Sequence, residues 1–593
     1  GATAIVGAGM MPAAGVHAHF YNPYACPAVA VKVVDLSRPG APRVVATIPV
    51  PRGVIAQDVS ALHVRTPAFT GDLAAIALAM CSGAGSGVER GVVYYDVTDP
   101  AAPVLLGRYQ ADSDNVKPAD LPCGPAPAGS DDRCAASQHS VTLVQRADGR
   151  VLSLSAEPGA SASKFPSGDL RIVDVTDPRH PRQVSAYPPP GEPIFSSNGC
   201  RPFRAAHNVG TGAAGTVAAL PFYDGGVFLL DLARSEAPAK LAEFKPAADR
   251  RVEGNFAYAA YADLGSRRIV LASEQDWIAP TTTLRIDGPA AMAGTRPACE
   301  AIFTLFDPAN RIQLYRRARG ELAGRFVYVG RGCSAGASVG MHADMVTPSP
   351  DPYLADPAGR IVMVDRSGQP TQPDLAKGSG CSVSDRVKRA QAAGATGVVV
   401  AQTSTTAPEA FSPDGDPAGL RIPVVMIDRA AADSLRTALC PRVTGGRCAG
   451  GAVVRGALVD APGQWGSLHV IDVTVPGAPV DVGEYRAPQA LVYPPRDLGV
   501  YSVHHAMVRG TRAYVAWNSG GLRLLDLAGD RPRSAGAFMP PDRPDPNGVF
   551  PAKTLVVGVA VMPGYVVITD INSGLYVLED PAQRVTVRPS RTR

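Results

Sequence analysis

LRIVDVTDPRHPRQVSAYPPP, residues 170–190, is the stretch that decides the fold, because variants of it recur along the chain. Its largely apolar, β-branched first segment predicts a buried strand, which ends at an acidic residue. A proline-containing turn then reverses the chain into a second short strand. Further copies begin at Val31, Val92, Val227, Leu468 and Leu522, and a degraded copy begins at Leu575. One hairpin cannot bury both of its faces, so the copies are expected to pack on one another.

The acidic residue that ends the first strand of each copy recurs at a nearly regular interval. It falls at Asp35, Asp96, Asp174, Asp231, Asp472, Asp526 and Glu579. Most of these separations suit a four-stranded propeller blade of about 40–50 residues with long loops. Only the 241-residue interval between Asp231 and Asp472 is much longer. The spacing therefore predicts a mainly β fold, a seven-bladed β-propeller with an insertion in blade five.

The repeated motif LRIVDVTDP and its copies resemble the LVIVD repeat family of β-propellers. The resemblance covers most of the chain outside the insertion and implies a fold rather than an activity. The repeated Asp has a structural explanation, because its carboxylate can accept N–H groups of the turn that follows. The N-terminal strand within residues 1–10 is expected to pair with the last blade and close the ring.

The insertion in blade five mixes strands with helices, unlike the repeats around it. Strands are predicted within 326–333, 359–368, 397–402 and 422–428. The segment SDRVKRAQAA predicts a helix over Ser384–Ala393 with Ser384 as its N-cap, and a second short helix follows residue 428. The expected domains are 1–297, with blades one to four and half of blade five, the insertion at 298–462, and 463–593 with the remaining blades.

The segments YVGRGC, GRIVMVDRSG, CSVSDRVKRAQAAGATGVVVAQ and IPVVMID resemble a protease-associated (PA) domain, an α/β module. The resemblance implies a non-catalytic lid or substrate-docking module of the kind that peptidases and sorting receptors carry. Peptidase motifs are lacking here, since HExxH is absent and GASVG at 336–340 has no strand-elbow-helix context. A domain inserted into a blade needs its ends close together and should lie over one face of the ring.

Composition limits the classes of function. The net charge of +4 over 593 residues gives no nucleic-acid footprint. The close pairs Cys123 with Cys134 and Cys440 with Cys448 lack CxxC spacing, so they are interpreted as disulfides formed in an oxidising compartment. The longest apolar run, 555–568, contains Pro563 and is too short for a membrane span. We therefore expect a secreted monomer that acts on a small molecule or a peptide.

Histidines recur where the innermost strands of several blades begin. Because inner strands converge on the central channel of a propeller, these side chains should meet there. The expected metal ligands are His17 and His19 in blade one, His139 in blade three, His207 in blade four, and His505, or its neighbour His504, in blade six. Which of His17 and His19 points inward is left open. His469 is expected to face solvent.

Converging neutral imidazoles are suitable ligands for a transition metal, and redox chemistry favours Cu or Fe over Zn. The second strands return to the same face with polar residues at Glu157, Asp224, Glu274, Asn518 and Asp570. Among these, Glu157 and Glu274 are the candidate catalytic residues, which orient the imidazole ligands through their outer N–H groups. The sequence thus predicts a secreted metalloenzyme with the inserted domain as its lid. Two alternatives stay open: a polar ring that holds only water, and an exported propeller that binds a ligand or a protein without turnover.

Overall fold

Seven small antiparallel sheets form a propeller-like ring, and a closed barrel is inserted into the fifth of them. The structure is a computed structural model that describes residues 3–7, 30–50, 54–80, 91–109, 138–156, 169–188, 205–245, 256–275, 282–301, 314, 317–334, 338–339, 342–346, 351–366, 381–402, 419–460, 465–492, 497, 499–529, 531–544 and 552–580. Within these ranges no helix has both the length and the apolarity that a bilayer span requires.

The first four blades follow one another along the chain. Blade one contains β1 (Thr3–Val6), β2 (Ala30–Asp35) and β3 (Arg43–Pro49). Blade two contains β4 (Val54–Arg65), β5 (Thr70–Met80), β6 (Gly91–Asp96) and β7 (Val104–Tyr109). Blade three contains β8 (Ser140–Gln145), β9 (Val151–Ala156), β10 (Leu170–Asp174) and β11 (Arg182–Tyr187). Blade four contains β12 (Gly210–Gly212), β13 (Val217–Pro221), β14 (Val227–Asp231) and β15 (Ala239–Phe244).

Blade five begins with β16 (Phe256–Asp263) and β17 (Arg268–Glu274), and the chain then enters the insertion. The first half of the insertion has β18 (Thr282–Gly288), β19 (Gly294–Glu300), β20 (Glu321–Gly330), β21 (Ser338–Val339), β22 (His342–Val346) and β23 (Ile361–Asp365). Its second half has α1 (Val383–Ala392), β24 (Gly397–Ala401), β25 (Val424–Ile427), α2 (Arg429–Leu439), β26 (Arg442–Thr444), β27 (Arg447–Ala449) and β28 (Val454–Asp460).

The chain then returns to the propeller. Blade five is completed by β29 (Leu468–Asp472) and β30 (Val480–Tyr485), and β29 pairs directly with β17. Blade six contains β31 (Ala506–Arg509), β32 (Arg512–Ala516), β33 (Leu522–Asp526) and β34 (Arg533–Phe538). Blade seven contains β35 (Val556–Met562), β36 (Tyr565–Asp570) and β37 (Gly574–Glu579). The predicted blade order, with the insertion between the second and third strands of blade five, is confirmed.

The repeated Asp caps the turn after its strand, as predicted. In six blades its Oδ1 accepts the backbone N–H two residues later, at 2.7–2.9 Å; the residues are Asp35, Asp96, Asp174, Asp231, Asp472 and Asp526. The pairing of each of these strands with the following strand also changes register, at a β-bulge that lies one or two residues before the Asp. A bulge increases local twist, so the repeat specifies the same curvature in each blade.

At two boundaries between neighbouring blades, a glycine in the fourth strand of one blade faces the proline-containing turn of the next blade. A Cβ on Gly107 of β7 would lie 2.2 Å from the carbonyl oxygen of Pro178, which belongs to the blade-three turn. Gly483 of β30 lies in the same way against Pro532 of blade six, at 3.2 Å. A side chain at either position would push the blades apart, so the small residue permits close packing.

Among the described residues, the ring closes through side-chain packing rather than through a shared sheet. The N-terminal strand β1 pairs with β2 of blade one, so the expectation that it pairs with the last blade is wrong. Val34 and Leu36 of blade one instead pack on Val567 of blade seven, together with Val6 and Val577. The apolar faces of the two sheets provide enough contact to join them without backbone pairing.

The insertion forms a closed barrel of β18, β19, β25, β24, β23, β20 and β28, in that order. The barrel therefore takes in Thr282–Asp460. The two predicted helices are present, but α1 is capped by Ser382, whose side chain accepts the N–H of Asp385. The expected cap, Ser384, is buried inside the helix instead. Asp428 caps α2 by accepting the N–H of Ala431.

Two disulfides have both of their cysteines in the described part of the insertion. Cys440–Cys448 closes the hairpin of β26 and β27, as predicted from the spacing of these cysteines. Cys333–Cys381 joins the segment after β20 to the start of α1, and the sequence did not indicate this pairing. The other predicted pair, Cys123 with Cys134, lies outside the described residues.

Candidate functional site

Side chains from blades three to six meet on the inner side of the ring and form what we call the axial cluster: His139, His207, Tyr258, His504 and His505. The rings of His139 and His207 lie 4.1 Å apart between centroids. Tyr258 contacts three of the imidazoles, with centroid distances of 4.6 Å to His207, 4.2 Å to His504 and 5.5 Å to His505. The pseudo-symmetry of the propeller thus brings together residues far apart in sequence.

The inner strands position these rings. Tyr258 lies in β16 and pairs with Ser273 of β17, while the histidines come just before the inner strands of their blades. The His504 N–H donates to the Ala516 carbonyl, and the Ala516 N–H donates to the His505 carbonyl, so the backbone of both histidines is held to β32. His207 and Tyr258 are 4% and 7% exposed and form the buried floor of the cluster. The other three imidazoles keep partial exposure.

Burial favours the neutral form of three imidazoles of the cluster, those of His207, His504 and His505. Burial lowers the pKa of His207 well below 6.5, and the neighbouring His139, His504 and His505 lower it further. Burial likewise lowers the pKa of His504 to about 3 and lowers that of His505. Neutral imidazole is the form that binds a metal or accepts a hydrogen bond, so the cluster is chemically ready for either.

An acid and two phenols border the imidazoles. Burial raises the pKa of Asp58, although His505 and the N–H groups of Val141 and Val59 oppose this rise. Val141 donates its N–H to Asp58 at 3.0 Å, which ties blade three to blade two. Burial also raises the pKa of Tyr258 well above 10, with smaller contributions from Tyr223 and Asp58. Tyr258 is therefore a phenol, and its hydroxyl forms a hydrogen bond with Nε2 of His504, at 2.8 Å.

Buried polar atoms without a protein partner lie in the cluster and in the neighbouring blade. Nδ1 of His207 has no hydrogen-bond partner among the described residues. The carboxamide of Asn518, fully buried at the end of the second strand of blade six, also lacks partners in that part of the chain. Such atoms cost free energy unless a ligand, an ion or water satisfies them.

The candidate residues fall into three groups. His139, His207 and His505 meet in the axial cluster together with His504. His17, His19 and Glu157 lie outside the described residues. Asp570 is buried in its own turn, where it accepts from Thr554 and Leu555 at 2.6 Å, so its carboxylate serves the backbone of blade seven.

Glu274 lies at the neck of the insertion, where it accepts hydrogen bonds from Ser467, and His469 stands beside it at 3.5 Å. The imidazole bridges to Asp481 on its other side, at 2.9 Å. The expectation that His469 faces solvent is wrong, because its side chain is completely buried. The strand carrying it is central in blade five, and both of its faces are covered.

Ser467, His469 and Asp481 have the contacts of a nucleophile triad, with Ser467 Oγ 3.1 Å from Nε2 of His469. Glu274 changes their chemistry. Burial would lower the pKa of His469, but the charges of Glu274 and Asp481 raise it to about 10. Burial would raise the pKa of Glu274, but His469 and the Ser467 N–H hold it below 4.5. A protonated, buried imidazole cannot act as a general base, so this is a structural ion pair.

Two features were missed at the level of sequence. Tyr258 lies in the inner strand of blade five, and an aromatic residue within that strand was the available signal. The pairing of Glu274 with His469 had no signal, because the partners lie 195 positions apart on either side of the insertion.

Only the insertion matches a family model. Residues 318–435 match the PA domain. The expectation of a PA domain is thus confirmed, whereas the LVIVD resemblance of the repeats stays a prediction. No curated protein matches the chain.

The solved structures that match cover either about a third of this chain or nearly all of it. An aminopeptidase from Aneurinibacillus sp. strain AM-1 is 16% identical over 32% of this chain and 34% of its own, with a TM-score of 0.19. This chain thus spans about a third of that aminopeptidase. Sqt1 from Chaetomium thermophilum, bound to the N-terminus of ribosomal protein L10, is 10% identical over 93% of this chain and 89% of its own, at TM-score 0.36. The periplasmic gluconolactonase PpgL of Pseudomonas aeruginosa is 9% identical over 91% and 96%, at TM-score 0.31.

Proposed function

We propose that the protein is an exported metalloenzyme whose axial cluster binds a transition metal ion, copper or iron, and carries redox chemistry on a small or peptide substrate. The observation that carries the proposal is the meeting of four imidazoles from three blades around one phenol, with Nδ1 of His207 left without a partner among the described residues. Nitrogen and phenol oxygen ligands suit copper and iron, which change oxidation state, whereas zinc does not.

The chain's own residues support such a site in defined ways. The buried floor of His207 and Tyr258 keeps water from one side, while the partly exposed His139, His504 and His505 leave an open side for substrate. Asp58 beside His505 can hold or release a proton near the reacting centre. His17, His19 and Glu157 remain predicted members of the same site.

The position of the insertion supports a lid role for the PA domain. Phe256 pairs with Glu274, and Tyr258 pairs with Ser273. The chain therefore leaves blade five for the insertion at the end of β17 that adjoins Tyr258. A domain attached at this point is positioned to cover the open side of the cluster and to select what enters.

Elemental analysis tests the proposal. The full chain and a His139→Ala/His207→Ala variant are purified without chelator, reloaded with Cu(II) or Fe(II), and desalted. The matched control is His63→Ala/His180→Ala, which removes two surface imidazoles paired with Asp72 and Asp177. We expect about one ion per chain in the wild type and the control, reducible by ascorbate, and loss of the ion in the axial variant. Equal metal in all three proteins would contradict the proposal.

A second candidate is an exported propeller that binds a ligand or a protein without turnover. It is favoured by the hydrogen bond between Tyr258 and His504, which already satisfies one imidazole nitrogen. Among the described residues, no three His, Cys, Asp or Glu side chains already stand in a metal-holding arrangement. A wild-type chain that takes up no metal under the loading conditions would select this candidate.

A further inference from the structure

We propose that Arg523 of blade six binds the carboxylate group of a small ligand. The site is distinct from the axial cluster and needs no metal ion. Arg523 lies in β33, where it follows Leu522, and Leu522 pairs with Ala516 of β32. Because Ala516 also bonds the backbone of the axial histidines, Arg523 lies at the same end of the blade as the axial cluster, on the third strand instead of the first.

The guanidinium of Arg523 is a buried charge without a carboxylate partner among the described residues. Arg523 is only 7% exposed. Burial lowers its pKa, and the group that opposes this shift is the phenol of Tyr485, with no acid contributing. Nη2 donates to Oε1 of Gln489 at 2.8 Å, whereas the buried Nε has no acceptor in this part of the chain. A buried charge without a counter-ion is costly, so an anion that reaches it is bound favourably.

The equivalent strand of two other blades also has a buried cation, and there the protein supplies an acid. The second residue of the repeated strand is Arg171 in blade three and His469 in blade five. Arg171 interacts electrostatically with Asp169. His469 lies between Glu274 and Asp481. By strand register, the blade-six positions that correspond to these three acids are Gly521, Trp517 and Ser534. Blade six therefore keeps the cation but has no acid at any of these positions.

The groups around the guanidinium favour a carboxylate over other anions. A guanidinium can donate two parallel N–H groups to the two oxygens of one carboxylate. Because Gln489 accepts from Arg523 through Oε1, its amide N–H groups point away from that bond and can donate to the same ligand. A single uncompensated positive charge is matched by the single negative charge of a carboxylate, and a phosphate dianion would leave a buried excess of negative charge.

A thioether occupies the place that a better acceptor would fill. Sδ of Met539 lies 3.8 Å from Nη2 of Arg523, and thioether sulfur is only a weak acceptor. Met539 is 44% exposed, although it covers a buried charge. A Cβ at Gly521 would lie 2.6 Å from this sulfur, so the glycine leaves the room that Met539 occupies. Methionine is flexible, so this side chain can turn outward and admit a ligand.

The segment that carries Gln489 is bonded to the chain that returns from the insertion. The Trp465 N–H donates to the Ala490 carbonyl at 3.0 Å, and the Trp465 carbonyl accepts from Arg486 at 3.3 Å. A carboxylate held by both Arg523 and Gln489 would therefore join blade six to the segment by which the insertion rejoins blade five. Binding should stabilise the folded chain at this junction.

Thermal unfolding of the full chain tests the site, with sodium chloride replaced stepwise by sodium acetate at constant ionic strength. A ligand that binds only the folded state raises the thermal midpoint in a saturable way. We expect this rise in the wild type and about tenfold weaker binding in Arg523→Gln and Arg523→Met, because both variants lose the charge-assisted hydrogen bonds. Met539→Ala removes the cover and should bind acetate more tightly than the wild type.

Trialanine and its C-terminal amide distinguish two sources of the carboxylate. A larger rise with trialanine than with acetate, lost on amidation, would assign the site to the end of a peptide. A rise with acetate that trialanine does not match would assign it to a small free acid. In both cases the carboxylate is the group that Arg523 recognises, so both results support the proposal.

Arg171→Met is the matched control, because it removes a buried arginine from the equivalent strand of blade three. It should keep the acetate response, and circular dichroism confirms folding of each variant. In acetate-free buffer Arg523→Met should be at least as stable as the wild type, since it removes an uncompensated charge. An equal response to acetate and chloride, or an acetate response that persists in Arg523→Gln, would overturn the proposal. Neither result bears on the metal site, because no readout involves a metal ion.

Discussion

Ser467 donates both its backbone N–H and its hydroxyl to one carboxylate oxygen of Glu274, although 193 residues separate the two. The Glu274 N–H donates in return to the Ser467 carbonyl, at 3.0 Å. These bonds lie where the chain leaves and re-enters blade five. They hold the two ends of the insertion within a few ångströms of each other, which is the geometry that allows a whole domain to be inserted without opening the sheet.

Removing the imidazole at this neck should destabilise the propeller. His469→Gln leaves the buried Glu274 carboxylate without its cation, and breaking a buried pair costs about 3–5 kcal/mol. Chemical denaturation followed by tryptophan fluorescence measures the loss. His63→Gln is the control, because His63 and Asp72 form an exposed pair that contributes about 0–1 kcal/mol. Equal stability of the two variants would show that the neck does not depend on this charge.

The same ion pair should give stability a defined pH dependence. The pKa of His469 is raised from 6.5 to about 10, so its stabilisation is complete below pH 6.5 and is lost as the pH rises towards 10. The pKa of Glu274 is lowered, so its contribution is lost as the pH falls below 4.5. Thermal midpoints measured across pH should show the largest gap between wild type and His469→Gln in the interval from pH 4.5 to 6.5. A gap of constant size up to pH 11 would contradict this assignment.

Substitution of Gly107 should separate blades two and three. The added methyl of Gly107→Ala would lie 2.2 Å from the Pro178 carbonyl oxygen, and overpacking of this kind costs about 1–3 kcal/mol. Gly536→Ala is a matched control at the repeat-equivalent position of β34, where the nearest atom would lie at 4.0 Å. The thermal midpoint should fall for Gly107→Ala only, and a comparable fall in both variants would indicate a general effect of glycine replacement.

The two disulfides should differ in what they contribute to the PA domain. Cys333–Cys381 closes a 48-residue separation and Cys440–Cys448 closes one of 8 residues. The chain-entropy account assigns them about 4 and about 2.5 kcal/mol. Double Cys→Ser variants at each pair, compared by limited proteolysis and mass spectrometry, should show faster cleavage within 282–460 when Cys333 and Cys381 are replaced. The reverse order would indicate that the hairpin, rather than the link to α1, limits stability.

Repetition explains why the fold was predictable. The capping Asp, the proline turn and the apolar strand occur together in six of the seven copies, so local chemistry and global topology agree, and copies such as those at Asp174 and Asp472 support the same prediction. The same repetition predicted that His139, His207 and the pair His504–His505 would share one level of the ring. Insertion of the PA domain in blade five followed from the single long interval between strand ends.

Features without a repeated pattern were not predictable. His469 alternates with apolar residues along β29, and this pattern predicts a side chain that faces solvent. In the structure both faces of β29 are covered, and the imidazole is buried against Glu274. The contact that joins blade one to blade seven is made by side chains far apart in sequence, and no local sequence pattern encodes it. Tyr258 enters the axial cluster from a position shifted relative to the histidines, so comparison of the copies did not reveal it.

The neck between β17 and β29 has a consequence for the order in which the protein is made. After β17 has left the ribosome, nearly two hundred residues must still be synthesised before β29, its partner strand, follows. Blade five therefore stays incomplete while the barrel folds. The nascent chain must therefore emit the whole inserted barrel before blade five can be finished, and a delay at this stage would leave a sheet edge exposed to aggregation on the translating ribosome.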